Sequence, residues 1–259
     1  MEKKKGISGS TLKMIAIVTM LIDHIGAAVL ARLLMVNGLG ELDQTNTDAI
    51  MQWLSANGAL YWMYTVMRMI GRVAFPIFCF LLVEGFLHTH DVKKYAMRLG
   101  LFALLSEIPF DLAFSSKILE FNYQNVFFTL FIGLLTMIAY RAVEEKEEWN
   151  QALKVILYIL IVAAGMALAY FLKTDYAEKG VFCIMVLYIF HKKKMWQIIA
   201  GCASFIWETP ALFGFIPIAF YNETRGWKMK YFFYIFYPAH LLILYLLCYF
   251  MGISGYSAV

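Results

Sequence analysis

Apolar residues along this chain run in long blocks separated by short polar stretches. The first block, Leu12–Met35, reads LKMIAIVTMLIDHIGAAVLARLLM. Further blocks cover Leu60–Leu87, Tyr95–Phe114, Asn125–Tyr140, Leu153–Leu172, Gly180–His191 and Tyr231–Met251. Residues Met195–Tyr221 form either one long block or two short ones broken at Glu208-Thr209-Pro210. Continuous apolar runs of about twenty residues predict helices that cross a bilayer, not half-buried strands. No polar stretch is long enough to fold as a soluble unit, so residues 1–259 read as one integral-membrane domain. The predicted fold is an all-α polytopic membrane protein of about nine transmembrane helices, or eight if Met195–Tyr221 is a single one.

The loops orient these helices. Lys3, Lys4, Lys5 and Lys13 precede or open the first block and place the N-terminus in the cytoplasm. The loop Asn37–Gly58 carries Glu41, Asp43 and Asp48 without Lys or Arg, as expected outside, and has room for a short interfacial helix. HTHDVKK and HKKK are basic and read as cytoplasmic; KTDYAEKG is a short polar loop. With Met195–Tyr221 counted as two, inside and outside loops hold about 16 and 4 Lys and Arg; counted as one, about 13 and 7, so the charge rule favours nine spans. MEKKK before an apolar run has the outline of a signal peptide. The run is too long, lacks a small-residue cleavage site and is interrupted by Asp23-His24, so it reads as a retained first span.

The polar residues inside the blocks carry the functional information. Asp23 and His24 lie near the middle of the first, where ionisable groups are costly and mark function. At 1.5 Å per residue His24 lies roughly 18 Å from the outer end of its span, Arg72 at about the same depth, and His240 roughly 14–16 Å from either end of the last span. Arg68 and Arg72 share one face of the second span, Glu107 and Asp111 one face of the third, by their i, i+4 spacing. Two arginines are therefore expected to meet two carboxylates across adjacent helices. Consecutive residues diverge by about 100° on a helix, so Asp23 is expected to pair with Arg72 and leave His24 facing a cavity. Pro76 predicts a kink that frees a backbone carbonyl near Arg72.

Composition adds the class. The chain is 62% hydrophobic and 15% charged, against about a quarter charged in soluble domains. The net charge of +4 sits in short loops that set orientation, which gives no sign of a nucleic-acid partner. Cys79, Cys183, Cys202 and Cys248 lie inside apolar runs without ligand spacing, so they read as reduced packing residues and no metal is expected.

LKMIAIVTMLIDHIG, GRVAFPIFCFLLVEGF (Gly71–Phe86), RLGLFALLSEIPFDLAF (Arg98–Phe114), NVFFTLFIGLL (Asn125–Leu135), YNETRG and FYPAHL together resemble, in order, the blocks of the TraX family of membrane proteins. The middle, Arg141–Trp207, contributes little. The family is named for a conjugation protein that acetylates the N-terminus of pilin. It is grouped with multi-span acyltransferases, among them heparan-glucosaminide acetyltransferases and O-acetyltransferases of bacterial surface polysaccharides. The resemblance implies acetyl-CoA as donor and a bacterial cytoplasmic membrane. It leaves the acceptor open among a peptide N-terminus, an amino sugar, a sugar hydroxyl and a small amine. It maps the catalytic histidine of the wider group onto His24.

The residues then take the following expected roles. His24 is the general base on the acceptor, or a transient acetyl carrier, with Asp23 supporting and His240 as second proton carrier. Arg68, Arg72, Glu107, Asp111 and Asn125 are expected on the substrate side. The phosphates of CoA stay at the cytoplasmic face among Lys93, Lys94, Arg98, Lys192, Lys193 and Arg225. The competing class is a proton-coupled transporter using the same buried His, Asp and Arg groups; the chain shows neither an inverted repeat nor matched broken helices in its favour.

Overall fold

The computed structural model describes residues 5–227 and 230–256. Lys3 and Lys4 of the N-terminal basic cluster, and Lys228 of the last basic loop, lie outside them. Among the described residues the fold is all helical, and five helices are long and apolar enough to cross a membrane. α1 (Gly9–His24) passes through a π-helical stretch, Ile25–Leu30, into α2 (Ala31–Val36). α3 (Thr47–Gly71) and α4 (Ala74–His88) are two parts of one apolar stretch, interrupted at Arg72–Val73. α5 (Val92–Ser115), α6 (Val126–Glu144), α7 (Gln151–Phe171) and α8 (Ala177–Ile189) follow, then α9 (Lys194–Ser204), a 3-10 turn Thr209–Gly214, α10 (Phe215–Ala219) and α11 (Lys230–Phe250).

Local chemistry explains the boundaries. Ser8, Asn46, Asp91, Asn125 and Asn150 cap α1, α3, α5, α6 and α7 by accepting a backbone N–H of the first turn, satisfying donors the helix leaves orphaned. Pro76 has no N–H for the Arg72 carbonyl, and the break between α3 and α4 falls there. The expected interfacial helix before Gly58 is not a separate element: with Asn46 as cap, α3 starts at Thr47 and runs on through it. The indole N–H of Trp53 donates to the Asn37 carbonyl (2.7 Å) and ties this extension to the preceding loop.

Residues Met195–Tyr221 are two short pieces folded back on each other. Lys194 at the start of α9 donates to the Tyr221 carbonyl just beyond α10 (2.6 Å), so both ends of the hairpin lie together. The same end of the bundle holds the start of α1, because Ile7 N–H donates to Phe220 O (2.8 Å) and Asn222 N–H to Ile7 O (2.9 Å). The opposite end is closed by the loops after α5, α7 and α11: Gln124 N–H donates to Lys173 O (3.0 Å) and Ser116 Oγ to Ser254 O (2.5 Å). The hairpin tip docks on the α3–α4 break, where a carbon added at Gly214 would stand 2.8 Å from the Val73 carbonyl. The break of one long helix and the tip of a short hairpin thus meet inside the bundle. Irregular backbone at such depth persists where it is buried in protein or lines a cavity.

Buried side chains form two clusters. One gathers α4, α6, α8 and the hairpin around Phe75, Ile77, Met137, Ile184 and Phe215. The other gathers the π stretch, α5 and α11 around Ala28, Phe110, Phe114, Tyr237 and Leu241. Outside, Val155, Ile156, Ile159, Leu160 and Phe171 of α7 are exposed. A continuous apolar face of this kind suits hydrocarbon and would aggregate in water.

Candidate active site

A cavity of about 110 Å³ lies at the seam of the two clusters. Asp23, His24, Arg68, Arg72, Asp175 and Tyr176 are among its lining, with Phe75, Phe110 and Phe114 on its apolar sides. Four residues expected in the site therefore converge, from α1, α3 and the break. Close backbone approach makes this possible. A carbon added at Gly71 would overlap the Asp23 side chain, and one added at Gly26 would stand 3.3 Å from Met67 Cβ. Asp23 sits in the notch that Gly71 leaves, where Arg68, one turn earlier, donates to its Oδ2 at 2.6 Å.

The expected Asp23–Arg72 pair is not the one formed. Asp23 pairs with Arg68, whereas Arg72 meets Glu208 Oε1 at 2.9 Å and the Tyr176 hydroxyl at 3.5 Å. The two arginines keep their shared face and both line the cavity: Arg72 caps α3 with its N–H on the Arg68 carbonyl at 3.3 Å, but it stands at the break itself. Arg72 turns instead to the hairpin tip. Asp23 Oδ1 is buried and has no hydrogen-bond partner among the described residues.

His24 and His240 are in direct contact. His240 Nδ1 lies 2.8 Å from the Phe236 carbonyl, and its Nε2 lies 2.7 Å from His24 Nδ1. A carbonyl only accepts, so His240 Nδ1 carries the hydrogen and, in the neutral ring, Nε2 accepts. His24 Nδ1 is then the donor, and the lone pair of His24 is left on Nε2. The tautomer follows from the carbonyl at the far end of the chain. The two rings are parallel within 3°, and Phe114 and Tyr237 meet His24 edge-on at 5.5 and 5.9 Å, which holds the ring in place. His240 stands behind His24 rather than on the cavity wall.

Glu107, Asp111 and Asn125 lie elsewhere. α5 packs chiefly on α11 and α6, so its carboxylates do not reach the arginines as expected. Glu107 accepts from the side-chain amide of Asn125, which also donates to Ala103 O at 2.8 Å while its Oδ1 caps α6. Asp111 is buried, not at a solvated helix end, and its Oδ2 accepts from Glu120 N–H at 2.8 Å. These three fasten α6 and the 116–124 loop to α5. In that loop, hydrogen bonds from Lys117 and Asn122 hold the half-buried Glu120 carboxyl down at about 2.

The basic residues assigned to CoA phosphates are spread over the start of α5 (Lys93, Lys94, Arg98), the turn before α9 (Lys192, Lys193) and the loop before α11 (Arg225). Lys94 pairs with Asp91 (3.0 Å), Arg98 bonds the Tyr234 hydroxyl, and Lys192 and Lys193 flank a groove with Phe190 and Trp196. The Arg225 carbonyl accepts from Ser10 N–H at 3.0 Å. Sequence reasoning missed Asp175 and Tyr176, which lie in a short polar loop without a motif. It treated Glu208 only as a break.

An all-helical bundle with five helices of membrane-crossing length, enclosing a cavity lined by two arginines, two aspartates and a histidine, defines the class. The chain belongs to the TraX family, whose description, TraX protein, matches residues 8–248. It is similar to a Dichelobacter nodosus protein described as "Probable fimbrial assembly protein FimC, serogroup H1". The two are 28% identical over 214 residues, 71% of this chain and 83% of that one. No solved structure matches the chain.

Proposed function

We propose that this protein is a membrane-embedded acyltransferase that moves an acetyl group from cytoplasmic acetyl-CoA to an amine or hydroxyl. The observation that carries the reading is the His240–His24 chain, which leaves His24 Nε2 as a lone pair on the residue lining the cavity. His24 Nε2 takes the proton of the acceptor as its nitrogen or oxygen attacks the thioester carbonyl. The new bond to carbon forms, the carbon–sulfur bond breaks, and His24 returns the proton to the departing thiolate. Nδ1–H donation to His240 holds the ring in the required tautomer throughout. Arg72 and Arg68 supply positive charge for the oxyanion. Attack by Nε2 itself, giving acetyl-His24, would use the same lone pair.

The topology we infer has the α1 start in the cytoplasm and the α9–α10 hairpin entering from and returning to that same end, so its pieces, the five-residue α10 above all, are too short to be the two extra passes of the expected nine. That end carries Lys93, Lys94, Lys192, Lys193 and Arg225. A bacterial cytoplasmic membrane suits this arrangement. The CoA phosphates stay among those residues while the pantetheine arm extends inward roughly 22 Å, the rise of α1 to His24. The printed name of the Dichelobacter nodosus relative makes a fimbrial subunit the first acceptor to try. A second reading, a carrier, draws on the helix break and the hairpin tip that meet at Arg72 and Glu208.

Acetyl-CoA separates the two. The detergent-purified protein is expected to unfold at higher temperature with acetyl-CoA than with CoA. Labelled acetyl groups should reach an acceptor in wild-type membranes and fall about 10³-fold or more in His24→Ala. No acetyl-CoA response from a well-folded protein would overturn the acyltransferase reading.

A further inference from the structure

The loop of residues 173–177, between α7 and α8, is a strained turn held against the cavity. Lys173, Tyr176 and Ala177 have φ of 53°, 64° and 41°, values that residues with a Cβ rarely adopt. Such a turn persists only where its surroundings over-determine it. Here they do. Asp175 N–H donates to Gln124 O at 2.8 Å, Thr129 Oγ1 donates to the Asp175 carbonyl and accepts from the Thr174 hydroxyl, and the Tyr123 hydroxyl donates to Asp175 Oδ1 at 2.8 Å. The Tyr176 ring lies flat on Phe75, with centroids 3.7 Å apart. The outcome of this fastening is that Asp175 reaches the cavity wall.

Charge makes that placement specific. Each arginine of the cavity already has its carboxylate, Arg68 with Asp23 and Arg72 with Glu208. Asp175 lies within electrostatic reach of both arginines, yet it forms no ion pair among the described residues. It is a third carboxylate near two arginines, on the wall of the cavity that His24 also lines, kept there at the expense of backbone strain. Its own hydrogen bonds come from the Tyr123 hydroxyl and the Tyr176 backbone N–H, and neither brings a positive charge to it.

We propose that Asp175 is a substrate-contacting residue, which receives the hydrogen-donating end of the acceptor in the cavity that His24 lines. The proposal rests on the acyltransferase reading for calling the occupant an acceptor; its test measures binding alone. The probe is ethanolamine, small enough for the cavity and carrying both an amine and a hydroxyl. Thermal unfolding of the purified full chain is followed as ethanolamine is added, with no acetyl-CoA present. Wild type should be stabilised at millimolar probe, and Asp175→Asn should need about tenfold more for the same shift, with Asp175→Glu between them. Should Asp175→Asn fail to fold, Tyr123→Phe takes its place; losing the hydrogen bond that orients the carboxylate should weaken the probe about threefold. Equal probe affinity in the substituted and wild-type proteins, or no wild-type shift up to about 100 mM, overturns the proposal. A protein that binds ethanolamine in this way but ignores acetyl-CoA would retain the Asp175 assignment and lose the acyl-transfer reading.

Discussion

Arg32 and the His24 cluster are both polar groups set in apolar surroundings, on the same run of helix, and they have opposite designs. Arg32 is fully buried and spent. Its Nε donates to Tyr256 O at 2.8 Å, Nη1 to Ala28 O at 2.9 Å and Ala113 O at 2.5 Å, and Nη2 to Ser116 Oγ at 2.9 Å. It is not among the residues lining the cavity of the His24 cluster. It joins the π stretch, α5 and the segment after α11 into one closed end. Eight residues earlier the bonding is deliberately incomplete. Asp23 keeps one buried oxygen without a partner and His24 keeps a lone pair, beside open space. Buried polar groups are normally satisfied, so the exceptions carry the information. Depth in the membrane marks both regions as costly; Glu107 Oε1 and Asp111 Oδ1 also lack partners among the described residues, so it is an unused acceptor together with the cavity that separates a reaction site from a fastener.

Three substitutions break this comparison, in falling order of effect. Arg32→Met leaves several buried carbonyls without a donor and should cost about 3 kcal/mol or more of stability. Acetyl transfer per folded molecule should stay within about twofold, since nothing at the cavity changes. A stable Arg32→Met protein without activity would move Arg32 into the site. His240→Phe removes the acceptor of His24 Nδ1–H. Loss of a hydrogen bond to a group that becomes charged is worth about 1.5–3 kcal/mol, so the rate should fall about tenfold to a hundredfold, with the melting temperature little altered. Gly71→Ala pushes a methyl group into Asp23 and should lower the rate about tenfold through misplacement of the Asp23–Arg68 pair. If Gly71→Ala transfers normally, Asp23 is not part of the working geometry.

Much of this was legible in the sequence, for identifiable reasons. Helix existence follows from apolar runs, and the α3–α4 break from Pro76. The meeting of His24 with His240 is consistent with depth counting, which places both near mid-span. Pairing was not legible. Arg68 and Arg72 look equivalent on a helix, and no local pattern announces that Asp23 fits the Gly71 notch beside Arg68 while the hairpin brings Glu208 to Arg72. Glu107 and Asp111 have the spacing of a substrate face, yet α5 packs against α6 and α11, and both carboxylates go to loop and cap contacts. Asp175 was invisible because its position depends on a five-residue turn whose backbone conformation no local pattern announces. Arg32 was passed over because its partners are mostly carbonyls, which every residue has.

The most direct test of the central claim is the protonation pattern of His24, read by nitrogen NMR on protein labelled at its histidines. The account predicts a hydrogen on Nδ1 and a bare, pyridine-type Nε2, with this pattern lost for His24 in His240→Phe. A hydrogen on Nε2 in the wild-type protein would mean that the lone pair points at His240 and away from the cavity, and the base assigned here would not exist.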